Sequence, residues 1–576
     1  MRELALFGSG DELIAHSSRT RKTRLPSSQG RRVEREGGDI AVFVCRCGGA
    51  VSRTVNVESV ATHASRLEAV KVARVVDFAC SKRGRDDILR SLTAGEISKY
   101  VVAGCTPGTH EQLFRSLSIE AGINPYTHEI ANIREQCAFV HSPEEATRKA
   151  ILLVEAAVAK CRALTPAPHL LVPIASDRIV VVGGGLAAAV AALSGARQGH
   201  EVALVVGESA FGSLDRVSDL PIEAIERLSQ DVRSDRLIRV IEGSDVLAFE
   251  GKQGDFRLLL RSAAGEEDVR CGAVILALEA VPEDATGDEQ GLEGVVSQRH
   301  FRSLIESGTA PDKVVMLLEP VGEPGSVCDR GYATQAISNA LSLKELRPSA
   351  QVSMVGGEVR TYGMCELDYR RAQESGVRFV RTRDKPKIVK EGGLKVLVTD
   401  ADLGSSVELP AELIVADKPP KPLGTDNLAR VFGIAIDSEG YFRRTHVKLK
   451  PAATLRKGVF LCGSASGPKM SSEELLEASA AASRAVALVS RRFVEVGGEV
   501  AEVEAERCSA CLSCVRICPY NAPFIGEAGK AEIDVESCEG CGTCVGICPS
   551  KAIQMYGYSD AQLDTQSRVL AKGGEG

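Results

Sequence analysis

The sequence CSACLSCVRICP occupies residues 508–519, and the same pattern returns as CEGCGTCVGICP at residues 538–549. Both runs read C-x-x-C-x-x-C-x-x-x-C-P. This spacing is typical of bacterial two-cluster ferredoxins, in which the fourth cysteine of each run crosses to the other cubane iron-sulfur cluster. The doubled run therefore predicts an electron-carrying module with two 4Fe-4S clusters.

The crossing predicts two sets of metal ligands. The first cluster would be held by Cys508, Cys511, Cys514 and Cys548, and the second by Cys538, Cys541, Cys544 and Cys518. Zinc is the main alternative for repeated C-x-x-C motifs, but a zinc ion takes four ligands and usually joins two such pairs. Here a triplet of cysteines plus a distant single cysteine occurs two times, which favours iron-sulfur clusters over zinc.

Composition places the chain among ordinary globular proteins. Its 576 residues are too many for one core, which predicts three or four domains. No apolar run reaches the roughly 18 residues that span a bilayer, so we expect no membrane span and a cytoplasmic location. Most of the 18 cysteines lie in two groups, which fits metal binding in a reducing compartment better than disulfides. The net charge of −7 gives no indication of nucleic-acid binding.

Changes in pattern along the chain predict five segments. They are a flexible basic arm at 1–39, a first domain at 40–165, a second region at 176–495 containing a central block at about 280–410, the cysteine module at 500–558, and a tail at 559–576. Prolines at 163–176 predict a linker. Both larger regions alternate strand-like and helical patterns, which favours an α/β fold.

The first domain contains a second group of cysteines. Cys45 and Cys47 follow a strand-like run at 40–44, and Cys105 follows another at 99–103. Loops at the carboxyl ends of strands converge in an open α/β sheet, so a further cluster site is one interpretation. The other is that these cysteines are ordinary core residues, since free cysteine is often buried.

The second region opens with the pattern of a nucleotide-binding turn, VGGGLAA at 182–188. Gly183, Gly185 and Ala188 match G-x-G-x-x-G/A between a strand and a helix, where glycines allow a tight turn and close approach of a pyrophosphate. The expected acid after the second strand is replaced by valine, and the nearest acid, Glu208, comes two residues late. The alternative is a Rossmann core that no longer binds tightly. The central block has no comparable glycine motif.

Several motifs together resemble the A subunit of heterodisulfide reductase and its relatives. They are CRCGG at 45–49, CTP at 105–107 with HE at 110–111, NIRE at 132–135 with Cys137 and His141, and GPK at 467–469. The resemblance covers about 40–555. It implies an N-terminal α/β cluster domain, a thioredoxin-reductase-like, two-lobed Rossmann-type FAD domain, and a C-terminal two-cluster ferredoxin of α+β type.

The resemblance also implies site residues. One further 4Fe-4S cluster would be bound by the five N-terminal cysteines, Cys45, Cys47, Cys80, Cys105 and Cys137. FAD would lie on the turn of Gly183, Gly185 and Ala188, and near Gly463 and Gly467, where the flavoprotein fold brings a helix N-terminus to the cofactor.

Departures from the family put flavin binding in question. Val206 stands where relatives have an acid, Leu278-Glu279 where they have Thr-Gly, and Met470 where they have aspartate, and a family glycine is replaced near Pro419-Pro420. A glutamate in place of glycine adds bulk and negative charge beside a pyrophosphate. Residues 212–270 lack cysteine, and Tyr332 and Ala333 replace further cysteines. We therefore expect a shortened form without the inserted ferredoxin.

These features predict an oxidoreductase subunit rather than a complete enzyme. It would pass electrons between FAD and 4Fe-4S clusters in a heterodisulfide-reductase-like complex, with flavin-based electron bifurcation as one role and no acid-base catalytic residue. Its partners would be other subunits and a ferredoxin or a hydrogenase- or dehydrogenase-linked donor. The alternatives are a flavin-free wiring and scaffold subunit, and an NAD(P)H-dependent flavoprotein resembling the small subunit of glutamate synthase.

Overall fold

A computed structural model describes residues 39–94, 97–207, 222–282, 294–318, 330–359, 361, 363–417, 420–422 and 424–572. The basic arm lies outside the described residues, except for its last residue, Asp39. So do Glu208 and the glycine-containing segment that follows the first strand of the central block.

The N-terminal domain is an open parallel sheet with helices on both faces. Its strands have the order β2-β1-β3-β4. The elements are β1 (Ile40–Cys45), α1 (Val57–Ala64), β2 (Val70–Val76), α2 (Lys82–Ala94), β3 (Lys99–Gly104), α3 (Pro107–Glu120), β4 (His128–Asn132) and α4 (Pro143–Ala163). All six residues of β1 are buried, because helices cover both faces of a central parallel strand. All four strands end at the same edge of the sheet.

The predicted linker contains a strand that joins distant parts of the chain. β5 (His169–Pro173) pairs in antiparallel fashion with β24 (Phe493–Gly497), which follows the second region. The entry to and exit from the second region are therefore held side by side.

The first lobe of the second region is a Rossmann-type sheet with an antiparallel layer. The parallel sheet has the order β23-β12-β6-β7-β8, in which β23 (Val459–Gly463) comes from later in the chain, and a three-stranded sheet of β11-β10-β9 packs beside it. Its first elements are β6 (Ile179–Val182), α5 (Leu186–Arg197), β7 (Val202–Val205), α6 (Ile222–Ser234), β8 (Ile238–Ile241), β9 (Asp245–Lys252), β10 (Asp255–Ser262), β11 (Gly265–Cys271) and β12 (Ala273–Leu278).

The central block forms a second lobe that repeats this architecture. A parallel sheet with the order β14-β21-β15-β16-β17 carries an antiparallel sheet of β18-β19-β20. Its elements are β13 (Ala280–Pro282), β14 (Val295–Val296), α7 (Gln298–Glu306), β15 (Lys313–Leu317), α8 (Arg330–Leu346), β16 (Gln351–Gly356), α9 (Cys365–Glu374), β17 (Arg378–Arg381), β18 (Lys387–Val389), β19 (Lys395–Asp400), β20 (Ser405–Pro410), β21 (Leu413–Val415) and β22 (Pro420–Pro422).

The chain then returns to complete the first lobe. It adds α10 (Thr425–Phe432), β23 (Val459–Gly463), α11 (Ser471–Val489) and β24. The alanine-rich faces of α5 and α11 pack against each other over the sheet, because small side chains allow close approach. This packing places the N-terminus of α11 near the turn between β6 and α5.

The C-terminal module consists of two similar halves. Its elements are β25 (Ala501–Val503), α12 (Ser513–Ile517), β26 (Pro523–Ile525), β27 (Ala531–Ile533), α13 (Thr543–Ile547) and β28 (Ile553–Met555). Residues 560–572, predicted to belong to a tail, form a further helix, α14 (Asp560–Lys572), which packs on α4 of the N-terminal domain. The Nε2 atom of Gln562 donates a hydrogen bond to the carbonyl of Ala163 at 3.0 Å.

The predicted α/β fold class, with a Rossmann-type two-lobed region and a C-terminal cluster module, is confirmed by these sheets. Among the described residues, no helix is both long and apolar enough to cross a membrane.

Candidate cluster sites and dinucleotide turn

The C-terminal module contains two cavities, and each is lined by four cysteines. One cavity, of about 340 Å³, is lined by Cys518, Cys538, Cys541 and Cys544. The other, of about 320 Å³, is lined by Cys508, Cys511, Cys514 and Cys548. Each cavity takes three cysteines from one run and the fourth from the other, which is the crossed arrangement of a two-cluster ferredoxin.

Left-handed backbone conformations shape the loops around these cavities. Ala510 and Leu512 have φ values of 54° and 63°, and Gly540 and Gly542 occupy the matching positions of the second run at 65° and 74°. Such conformations turn the chain tightly, so that three cysteines in seven residues face one centre. Alanine and leucine adopt them at a cost that glycine avoids.

Backbone amides are directed at cysteine sulfurs in the cavity of Cys508. The Cys508 Sγ accepts hydrogen bonds from the amides of Ala510 at 3.4 Å and Ala531 at 3.5 Å. The Cys548 Sγ accepts one from Ala552 at 3.3 Å. Amide donors stabilise thiolate charge and are among the groups that set cluster potential.

A third cavity lies at the carboxyl ends of the strands of the N-terminal domain. It measures about 300 Å³ and is lined by Cys45, Cys47, Cys80 and Cys105, together with His110 and Phe114. Cys45 ends β1, Cys47 lies in the following turn, Cys80 follows β2 and Cys105 follows β3. The parallel sheet therefore gathers four cysteines that are distant in sequence.

Thiolate character in this cavity is concentrated on Cys47. Hydrogen bonds from the thiols of Cys105 and Cys45, together with the positive charge of Arg134, lower the pKa of Cys47 to about 2. The Nη1 atom of Arg134 lies 3.8 Å from the Cys47 sulfur. Hydrogen bonding to Cys47 and burial raise the pKa values of Cys45 and Cys105. The thiolate is the form of cysteine that binds metal.

Cys137 lies apart from the other four N-terminal cysteines. It sits in a short π-helical turn at Arg134–Ala138, after β4, and is fully buried in the core beneath α4. Burial raises its pKa to about 11. The cavity is thus surrounded by four of the five cysteines that the family resemblance marked.

Among the described residues, no three His, Cys, Asp or Glu side chains converge as ligands of a single metal ion would. The cysteines instead line cavities, which is the arrangement that a polynuclear cluster requires.

The glycine turn after β6 keeps the geometry of a dinucleotide turn. Gly183 has a φ of 145°, and a methyl group placed on it would lie 2.0 Å from the carbonyl oxygen of Ala277. Ala188 is fully buried between helix and sheet. Gly463 ends β23, and Gly467 lies ahead of α11. The predicted glycines are therefore brought to one edge of the sheet.

The mouth of this turn does not fit a pyrophosphate as it stands. A methyl group on Gly185 would lie 1.8 Å from Oε1 of Glu279, so that side chain covers the face a phosphate would approach. Val206 is fully buried at the end of the second strand and offers no acceptor for a ribose.

Sequence patterns assigned no role to some residues that line these sites. His110 lines the N-terminal cavity because α3 begins shortly after Cys105. Tyr520 and Glu539 line the cavity of Cys538. For His110 the available signal was its place in the family motif after Cys105, and for Glu539 it was its position next to Cys538.

Comparison with known proteins agrees with these features. Residues 501–549 match a family model described as a 4Fe-4S dicluster domain. A protein of Archaeoglobus profundus, described as similar to the A subunit of heterodisulfide reductase, is 30% identical, over 93% of this chain and 98% of that protein. An iron-sulfur A subunit of the CoB–CoM heterodisulfide reductase of Methanopyrus kandleri is also 30% identical, over 84% and 90%.

Solved structures similar to the chain include thioredoxin reductases. That of T. acidophilum is 16% identical, covers 54% of this chain and 97% of its own, and superposes with a TM-score of 0.38. The strand order of their sheets, and not this similarity, defines the architecture of the two lobes.

The dicluster module and the Rossmann-type lobes together define an iron-sulfur oxidoreductase subunit that transfers electrons. Within that class the similarity extends over nearly the whole length of both proteins. The chain belongs to the family of heterodisulfide reductase A subunits, as the sequence motifs predicted.

Proposed function

We propose that this chain relays electrons through three cubane clusters inside a multi-subunit oxidoreductase. The observation that carries the proposal is the presence of three cavities of similar size, each lined by four cysteines. Each cluster would accept one electron from a neighbouring donor and pass one electron to an acceptor, with no proton required. Acid-base residues are not needed for this chemistry.

Contacts around the cavity of Cys538 support a path through the molecule. The Nζ atom of Lys457, in the first lobe, donates hydrogen bonds to the carbonyls of Glu536 and Cys538 and pairs with Glu539 at 2.9 Å. On another side, Arg115 of the N-terminal domain contacts Glu499. These contacts join the surroundings of this cavity to both other parts of the chain, and we infer that its cluster is the junction of the relay.

The family suggests the partners. Relatives are named as subunits of CoB–CoM heterodisulfide reductases, and one from Methanothermobacter marburgensis as the A subunit of an H2:CoB–CoM heterodisulfide,ferredoxin reductase. We infer that this chain also works with partner subunits, which would supply substrate chemistry, and exchanges electrons with a low-potential carrier. We infer a cytoplasmic location, because cysteines that bind clusters suit a reducing compartment.

Electron bifurcation at FAD is the finer function that the family resemblance implies. It would require the dinucleotide turn to accept the pyrophosphate of the cofactor. Because Glu279 covers Gly185 at this turn, no step of the proposed relay passes through flavin.

The test is the content of iron and acid-labile sulfide per chain after anaerobic purification. The proposal requires about twelve irons, and Cys80→Ala should leave about eight. Cys161→Ala is the matched control, because Cys161 is fully buried in the same domain but lines no cluster cavity. About eight irons in the unmodified chain would contradict the N-terminal cluster.

A further inference from the structure

The turn that would hold a dinucleotide is intact in its backbone. Gly183 adopts a φ of 145°, and a side chain there is excluded because its Cβ atom would lie 2.0 Å from the carbonyl oxygen of Ala277. β6 and α5 flank it as in nucleotide-binding folds. The side chains at the mouth of the turn therefore determine whether a dinucleotide can bind here.

Glu279 occupies that mouth. It directly follows β12, whose last residue, Leu278, pairs with Gly463. A methyl group on Gly185 would lie 1.8 Å from Oε1, 2.3 Å from Cδ and 2.4 Å from Cγ of Glu279. Most of the glutamate side chain thus lies against the glycine whose function in this motif is to let a pyrophosphate reach the backbone.

The second anchor of a dinucleotide, the N-terminus of α11, is satisfied by the chain itself. The amide of Met470 donates to Oε2 of Glu473 at 3.2 Å, and Oγ of Ser464 donates to Oε1 of Glu474 at 2.7 Å. Carboxylates in the first turn already complement the positive end of the helix dipole. Part of the attraction for a phosphate is thus already used within the chain.

The cation nearest to this helix end is also engaged. Lys469, with a side chain only 5% exposed, donates to the carbonyls of Gly463 and Gly467 and pairs with Glu477 at 3.2 Å. Arg444 pairs with the other oxygen of Glu477 at 3.2 Å. Because carboxylates of the chain already engage these positive charges, a bound pyrophosphate would gain less from them than from unpaired cations.

We propose that the Rossmann lobe of this chain does not bind FAD, because the Glu279 carboxylate stands where the pyrophosphate would lie. The lobe then acts as a rigid scaffold between the cluster-bearing parts of the molecule. The absence of FAD is independent of the proposed electron relay. The scaffold role rests on that relay, because it presupposes clusters on both sides of the lobe.

The test compares the unmodified chain with Glu279→Ala. Both are purified anaerobically, incubated with excess FAD, separated from free flavin by gel filtration, and analysed for retained flavin, iron and sulfide. We expect the unmodified chain to retain less than a tenth of the flavin that Glu279→Ala retains. Retention of about one FAD per chain by the unmodified protein would overturn the proposal.

Glu532→Ala is the matched control. Glu532 packs on Gly526 in the cluster module, where a methyl group on the glycine would lie at the same 1.8 Å from the carboxylate, so its removal should give no gain of flavin. If Glu279→Ala also retains no flavin, Glu279 is not what closes the site, and the proposal fails. Iron and sulfide report the relay separately, since their loss would contradict the proposed function without bearing on flavin.

Discussion

Arg115 and Glu499 form an ion pair across 384 residues of sequence, with Nη2 of the arginine 3.1 Å from Oε2 of the glutamate. Arg115 lies on α3, which begins two residues after Cys105, and Glu499 precedes the cluster module. The guanidinium also lies 4.6 Å from the ring centre of Tyr126. The pair therefore connects the N-terminal domain to the segment that leads into the cluster module.

We predict that Arg115→Ala destabilises the protein by about 1–2 kcal/mol, because it removes a partly buried ion pair and a cation–π contact. Thermal unfolding, followed through loss of cluster absorbance, is the measurement. Arg568→Ala, which breaks an exposed pair with Asp564, is the control and should change stability by less than about 0.5 kcal/mol. Equal effects of the two variants would contradict a docking role for Arg115.

Crossed ligation predicts an unequal effect of two double variants. Cys518→Ala with Cys541→Ala removes two ligands of one cavity, whereas Cys518→Ala with Cys514→Ala removes one ligand from each. We expect the first to lose about four irons and the second about eight. Iron analysis of both double variants is the measurement. A larger loss of iron in the first variant than in the second would show that each run holds its own cluster.

The cluster module could be predicted closely because its cysteine ligands lie within two short stretches of sequence. Three cysteines in seven residues must face one centre, and the repeat of the run is enough to indicate the crossing. The N-terminal cavity was harder, since its cysteines come from three strands and only sheet order brings them together. Sequence alone did not separate Cys137 from the rest, because a turn of π-helix directs it inward.

Contacts between distant segments could not be predicted. The pairing of β5 with β24, the Arg115 ion pair and the docking of α14 on α4 each depend on how whole domains meet. α14 buries only Gln562 among its residues, so its sequence carries no apolar stripe that would have marked it as docked. The bulk and charge of Glu279, by contrast, were predictable from the motif, and the structure adds its position on Gly185.

Burial of His128 predicts a pH dependence of stability. Its ring is 8% exposed, stacks on Tyr100 at 5.1 Å, and has its pKa lowered to about 4, mainly by burial and also by the charge of Arg115. The unfolded chain binds this proton near pH 6.5, and the folded chain near pH 4. The free energy of unfolding should therefore fall as pH falls from about 6.5 to 4, by up to about 3 kcal/mol.

His128→Phe should flatten this part of the stability profile while keeping the stack. Unfolding midpoints at several pH values between about 5 and 7 are the measurement, within the window set by the two pKa values. His446→Gln, at an exposed histidine, is the control for the loss of a histidine. An unaltered slope in His128→Phe would assign the pH dependence to other groups.

A buried ion pair within the N-terminal domain includes a lysine that also contacts the C-terminal segment. Nζ of Lys160 lies 2.7 Å from Oε1 of Glu129 and 4.4 Å from the ring centre of Tyr558, and the lysine side chain is 8% exposed. Lys160→Met should destabilise by about 3–5 kcal/mol, because it leaves the Glu129 carboxylate buried without its partner. Adding Glu129→Gln should restore much of that loss, since no charge then remains uncompensated. Thermal unfolding of the two variants distinguishes this mechanism from a simple packing defect, in which the second substitution would bring no recovery.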